Sequence, residues 1–433
     1  MIDSAVRFRG FDPRAMAKDP MTPAQEPSPS SETSLRYAGW RVVAGCFLMA
    51  LFLFGFALYG HGVYLAELQR LNGWPAALIS GASTLSLLLA NIFATFTNEL
   101  VARLGAKRLV LSGMAALAAS MVLLAFATAP WQLYIAFGLM SLGWIGMGTI
   151  VSATIVSLWF VRRRGLAISL AFTGASFSGI VVTPSLVYLV DRYGFTAAML
   201  TGTAIMLAVL VPVALAWIAP PSSGGGPTGP SQAETPSDAS DISRAKIMRR
   251  LAFWTISIPF ALALVAQIGF IVHQIAMLEP KIGRANAGFA VSVMTLMAIS
   301  GRLGLGMVID RFDPRRVAAV SIVSQAASLV TIMQFDSVPI LLAACGVFGF
   351  SVGNLITLPP LIMHREFSAA SFVVVMGLSN AVSGTIGSLG PAIIGVVQSW
   401  SGGYDTALVL CIALQLIAAV IVLRGSVPVE GRG

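Results

Sequence analysis

One arginine, Arg302, stands inside an apolar run, Ser292 to Arg316, that reads SVMTLMAISGRLGLGMVIDRFDPRR. A guanidinium stays charged and presents its donors in a rigid fork that matches a carboxylate two bonds at a time. Holding a charge within hydrocarbon is costly, so such a residue marks a site whose partner has to be found. Arg302 lies seven residues before Ile309, about 10 Å inside the helix end at ~1.5 Å per residue. Two readings stand: Arg302 grips an anionic cargo, or it snorkels to the membrane face and pairs with Asp310 or a helix end. The acids bear on the choice. All 18 Asp and Glu fall in tails, loops or helix ends. No mid-membrane carboxylate is therefore on offer to alternate between a proton and a cationic drug, and a carboxylate cargo would itself be the missing counter-ion of Arg302.

The other polar groups in apolar runs are few. His61 closes the first run beside Tyr59 and Tyr64, and His273 lies near the end of the seventh with Gln267 and Gln274. Both histidines are expected on the outer side of a central cavity. Histidine titrates nearest neutral pH, so either could couple transport to protons; the plainer reading is an ordinary interfacial histidine, like His364 in a loop. Tyr59 and Gln267 join them as candidate lining residues. Asn91, Asn354 and Asn380, the last in GLSNAVSGTIGSLGP, either line a cavity or bond between helices, and the second is commoner. Cys46, Cys345 and Cys411 sit in apolar stretches at spacings that make neither a metal pattern nor a disulfide framework. No phosphate loop of the G-x-x-x-x-G-K-S/T kind occurs, so neither an ATPase nor any other enzyme is indicated, and no cofactor or metal is called for.

These residues need elements to position them. The 433 residues are 57% hydrophobic and 10% charged, against roughly 25% charged in soluble domains. The composition therefore predicts an all-α membrane protein, and the net charge of +9 belongs to membrane topology rather than to nucleic acid. Twelve apolar runs can cross about 30 Å of hydrocarbon. They fall near 41–65, 76–97, 109–129, 131–160, 166–190 and 196–219, then near 252–278, 287–309, 317–335, 339–363, 370–397 and 406–424. The predicted division is a disordered tail over 1–37, a six-helix half over 38–219, a Gly/Pro/Ser-rich linker over 220–250, a second six-helix half over 251–425 and a short tail over 426–433. An even number of crossings puts both tails on one side, and that side holds 22 of the 27 Lys and Arg. The positive-inside rule makes that side cytoplasmic. A monomer in a bacterial inner membrane, surrounded by lipid, is the expected setting.

The halves echo each other. Arg103, Gly105, Lys107 and Arg108 follow the second run, and Arg311, Asp313, Arg315 and Arg316 follow the eighth, each pair 208 residues apart. The fifth and eleventh runs are the richest in Gly and Ser, which suits close helix packing. The loop from Gly306 through Asp310, Arg311, Arg315 and Arg316 resembles the G-x-x-x-D-R-x-G-R-K/R loop of the major facilitator superfamily. Gly39-Trp40, Asn72-Gly73-Trp74 and Trp159-Phe160 with Arg162 to Gly165 resemble its monocarboxylate-transporter-like and oxalate–formate-antiporter-like branch. The resemblance implies the major facilitator fold, and a gating role for Arg103, Gly105, Lys107, Gly306, Asp310, Arg311 and Arg315; since helix eleven faces the cavity in that superfamily, it also implies that Asn380 is the asparagine to meet cargo. In the monocarboxylate branch an arginine four residues before the loop glycine contacts the cargo carboxylate, and Arg302 and Gly306 have that spacing. Three departures stand beside it. Asn98 and Ala102 replace the glycine and aspartate of the first-half loop, Ala298 stands where the branch has an aspartate, and Leu142 lies near the helix-four arginine of proton-coupled drug antiporters. The expected function is secondary transport of a small, monocarboxylate-like anion by alternating access, coupled to a proton or a counter-anion. The alternatives are an exporter of an amphipathic compound and a transporter-like sensor.

Overall fold

The computed structural model describes Glu32, Ser34, residues 37–218 and residues 244–425, with the side chains of 310, 369 and 370 left aside. Most of the first tail, most of the linker and the last tail lie outside the described residues. Among the described residues, twelve helices are long and apolar enough to cross a membrane: Gly39–Asn72, Ala76–Ala94, Ala106–Ala125, Pro130–Ser157, Arg164–Tyr193 and Phe195–Trp217, then Leu251–Ile282, Arg284–Val308, Pro314–Gln334, Val338–Glu366, Ser371–Ser401 and Asp405–Arg424. They are spans 1 to 12 below. All twelve apolar runs are helices, but spans 1, 7 and 11 run several residues beyond the apolar stretch. The backbone stays hydrogen-bonded past the last apolar residue, so Glu67 and Arg70 stand on helix where hydropathy alone ends the segment.

The turns explain how so much helix fits. Gly73, Gly194, Gly283 and Gly402 each end a span with φ between 65° and 83°, a backbone region open to glycine at no cost. They close the turns after spans 1, 5, 7 and 11, so the halves stop their helices alike. The repeat also shows in the basic residues. The Lys107 ammonium donates to the Leu215 carbonyl at the end of span 6 (2.9 Å), and Arg315 donates to the Val422 carbonyl at the end of span 12 (2.9 Å). Each caps carbonyls that have no partner within their own helix.

Spans 1 to 6 pack mainly among themselves, as do 7 to 12; the halves meet along spans 5 and 8, 2 and 11, and 1 and 7. The contacts between spans 2 and 11 begin at the side away from the termini and reach to the middle of span 11. Ala77 meets Ser399, Thr84 meets Ala392, and Asn91 meets Ser388, where the line stops. On the other flank Gly288 lies against Val187, and Ser292 and Thr295 lie against Gly179. These residues lead to the side away from the termini. One apolar core joins both halves on that far side, through residues such as Val63, Val187, Ile275, Val291 and Ile394. Toward the terminus side the second half has a separate core, around Phe260, Leu305, Ile322, Leu358 and Val422. The far side is shut, and the halves part toward the termini. Gly179 of span 5 and Gly384 and Gly395 of span 11 thus serve close approach between halves, while Gly174, Gly387 and Gly390 serve it within a half.

Candidate functional site

Arg302 is held by the packing of span 8 on span 10. A Cβ on Gly349 would collide with the Met294 carbonyl, and one on Gly353 with the Ala298 carbonyl. Glycine at both positions lets the two backbones touch and fixes how span 8 is turned. Arg302 is half-buried, has no ion pair or hydrogen bond among the described residues, and keeps its Nε buried with no partner. The expected pairing with Asp310 cannot be followed, since that side chain is not described. Tyr59 lies within electrostatic range of Arg302, with no hydrogen bond between them. Tyr59 ends a single π-helical turn, Gly55–Tyr59, in the middle of span 1; such turns recur at functional sites because they re-aim the side chains around them. Cation and phenol therefore come from opposite halves.

Asn380 is exposed on span 11, one turn before Gly384 and two before Ser388, the residues that meet Asn91. It shares their face, one turn toward the terminus side from the hydrogen bonds of Asn91 to Gly384 and Ser388. Asn91 and Asn354 instead bond between helices: Asn91 to Ser388 at 2.8 Å, and Asn354 to Ser321 at 3.2 Å.

The remaining candidates lie elsewhere. His273 is buried, its Nε2 3.0 Å from the Pro391 carbonyl and its Nδ1 3.1 Å from the Tyr404 hydroxyl. A carbonyl only accepts, so Nε2 carries the proton and Nδ1 accepts from Tyr404. This neutral histidine ties spans 7, 11 and 12 together. His61 is buried between spans 1 and 4, with Nε2 3.1 Å from Met140 Sδ and its ring against Phe137. Both histidines lie within the closed far side rather than on an open cavity wall. Gln267 is the end of a buried ladder: Gln325 donates to it at 3.2 Å, and Gln415 donates to Gln325 at 3.0 Å. These bonds join spans 7, 9 and 12 inside the second half, so Gln267 is a packing residue in this state.

The loop residues divide as well. Arg315, 3% exposed, grips Glu366 through two bonds of 2.5 and 2.8 Å and also bonds Thr255 and Val422. It clamps spans 7, 9, 10 and 12 at the terminus side. Arg103 pairs with Glu99 one turn away, both exposed. Gly105, at φ 79°, opens span 3. Gly306 is exposed with open space around it. Arg311 lines a groove of about 890 Å³ between spans 8, 9 and 10, which does not include Arg302.

Sequence reading missed one group. Glu67 on span 1 is 2% exposed and is held by Arg70 at 2.8 Å and by Arg284 of span 8, whose Nε also bonds Glu279 at 3.1 Å. Hydropathy placed these residues in loops; a carboxylate three residues before an arginine at the end of a helix was the available signal.

The Major Facilitator Superfamily pattern matches residues 47–279, more than half of the chain. Monocarboxylate transporter 13 of Bos taurus is 26% identical over 395 residues, covering 89% of this chain and 88% of its own length. The MFS-type transporter pynF of Aspergillus niger is 24% identical, covering 88% of this chain and 86% of its own length. Among solved structures, the nucleoside transporter NupG superposes with a TM-score of 0.70 at 14% identity, covering 90% of this chain and 98% of that one. A bacterial Spinster homologue, solved inward-facing and unoccupied, gives 0.68 at 13% identity, covering 90% and 98%. The relatives named are mammalian and fungal, which lends the expected bacterial inner membrane no support. Twelve spans in two six-helix halves among the described residues, a matched family pattern and relatives covered over more than four fifths of their length agree: this chain belongs to the major facilitator superfamily and is a membrane transporter, not an enzyme.

Proposed function

We propose that this chain carries a small organic anion of the monocarboxylate kind across the membrane, with Arg302 as the group that receives the cargo carboxylate. The observation that supports this reading most is the half-buried guanidinium of span 8, unpaired among the described residues and within electrostatic range of Tyr59 of span 1. An unpaired charge there is costly, and a carboxylate between the halves would remove that cost while touching both. That is what alternating access requires: cargo must interact differently with the two states to bias them. Asn380, exposed on span 11, offers the cargo a further polar contact. Relatives named as monocarboxylate transporters favour the same cargo class. The distribution of Lys and Arg favours cytoplasmic termini, which makes the open side the inner one. Coupling is to a proton or a counter-anion.

The test is binding and uptake against a panel of monocarboxylates. Purified protein is expected to gain thermal stability with at least one of them, and Arg302→Ala, reconstituted in proteoliposomes, to lose its uptake. Arg302→Lys keeps the charge but not the fork, and is expected to raise KM about tenfold. Uptake with an unchanged KM in Arg302→Ala would remove this role.

A further inference from the structure

The far side is shut by apolar packing and by one charged cluster, and that cluster is divided between the halves in an unusual way. Glu67 and Arg70 belong to the end of span 1; Glu279 and Arg284 flank the turn between spans 7 and 8. Arg284 reaches across to Glu67 while keeping Glu279. Glu67 accepts from Arg70 as well. Asp191, at the end of span 5, adds a further negative charge within reach of Arg70.

We propose that Glu67 and Arg284 form the latch of the far-side gate, and that Arg70 and Glu279 are the partners to which each returns when the gate opens. Separating the halves breaks one ion pair, Glu67 to Arg284. It leaves Glu67 with Arg70 in one half and Arg284 with Glu279 in the other, each charge still paired. Stripping the partner from a buried charge is among the costliest single changes in a protein. A lone Glu67–Arg284 bridge would therefore hold the gate shut, whereas a bridge with a spare partner on either side can release. The local pairs, three and five residues apart, travel with their own half and need no rearrangement. The latch depends only on the transporter having two states and is independent of which cargo Arg302 takes.

The two roles predict opposite signs. Glu67→Gln and Arg284→Gln remove the cross-half pair and are expected to raise the far-side-open population about tenfold. Arg70→Gln and Glu279→Gln remove the spare partners and penalise the open state more than the closed one, so that population is expected to fall. The exchange Glu67→Arg with Arg284→Glu restores the bridge but sets like charges together within each half, and is expected to shut the gate more firmly than in the native chain. Spin labels at Tyr193 and Asp336, exposed residues at the far ends of the two halves, report the far-side distance by pulsed electron resonance without any cargo. The native cysteines are buried and do not interfere. A common direction of shift for all four single variants, each monodisperse on size exclusion, would mean ordinary structural glue and would overturn the latch. So would an unmoved distance in Glu67→Gln and Arg284→Gln. Loss of anion binding in Arg302→Ala, with the latch variants still moving in opposite directions, would separate this inference from the cargo reading.

Discussion

At the scale of single residues, the polar groups in apolar runs sort by whether their hydrogen bonds are already spent. His273 has both ring nitrogens engaged and Gln267 sits in an amide ladder, whereas Arg302 is charged and has no partner among the described residues. Arg302 was legible in the sequence as the one cation inside the apolar part of its run, with no acid nearer than Asp310. The partners of His273 and Gln267 were not, since Pro391, Tyr404 and Gln325 come from other helices. Tyr59 lies within electrostatic range of Arg302, so a carboxylate held by Arg302 would accept from its hydroxyl, and a hydrogen bond to a charged group is worth about 1.5–3 kcal/mol. Tyr59→Phe is therefore expected to raise the KM for anion uptake about tenfold with little change in kcat, read from concentration series in proteoliposomes; an unchanged KM would leave Tyr59 out of the site. Glu32 makes a second prediction outside the membrane. Burial pushes its carboxyl up, but the backbone amides of Val161, Arg163 and Arg162 and the Arg162 charge outweigh this and hold it below the ordinary range. A lowered carboxyl stabilises the docked segment above its ordinary value of about 4.3, and that stabilisation is lost as pH falls through the lower folded value. Exchange of the Val161 and Arg163 amides, which donate to Glu32 at 3.1 and 3.0 Å, is expected to accelerate below about pH 4. The same acceleration is expected at neutral pH in Glu32→Gln.

At the scale of elements, hydropathy found every span because a helix in lipid must be apolar over its length. It could not find where the helices continue: span 1 runs on to Asn72 and carries Glu67 and Arg70 with it. Nor could it choose among the loop arginines, which look alike in sequence. Arg315 alone among them is buried, tied to Glu366, Thr255 and Val422, while Arg103 has only a surface pair with Glu99. The two are expected to differ sharply when removed. Arg315→Ala leaves Glu366 without its partner, which for a buried pair costs about 3–5 kcal/mol, whereas Arg103→Ala is worth at most about 1 kcal/mol. Thermal unfolding in detergent checks this, with Glu366→Ala added to Arg315→Ala expected to return part of the loss. Equal effects would contradict the clamp.

At the scale of the whole molecule, the halves touch on the far side and part toward the termini, with Arg302 and Tyr59 contributed from opposite halves. The two-half architecture was legible from the linker and the 208-residue echo. Which side is shut was not, because the same contacts in Gly- and Ser-rich helices could close either end. The unpaired guanidinium has an electrical consequence. An empty carrier that switches which side it opens to takes one uncompensated positive charge through the membrane field. A carrier loaded with a carboxylate takes none. One elementary charge is worth about 2.3 kcal/mol per 100 mV, an upper bound here because Arg302 crosses only part of the field. Exchange of anion for anion, in which the carrier is loaded both ways, is expected to ignore membrane voltage. Net flux, which needs the empty return, is expected to depend on it, and in Arg302→Gln the empty carrier should lose that dependence. Measured in proteoliposomes clamped with potassium and valinomycin, equal voltage dependence of exchange and net flux would contradict this. A potential negative on the terminus side would then hold the resting carrier open toward that side, waiting with its charge uncovered.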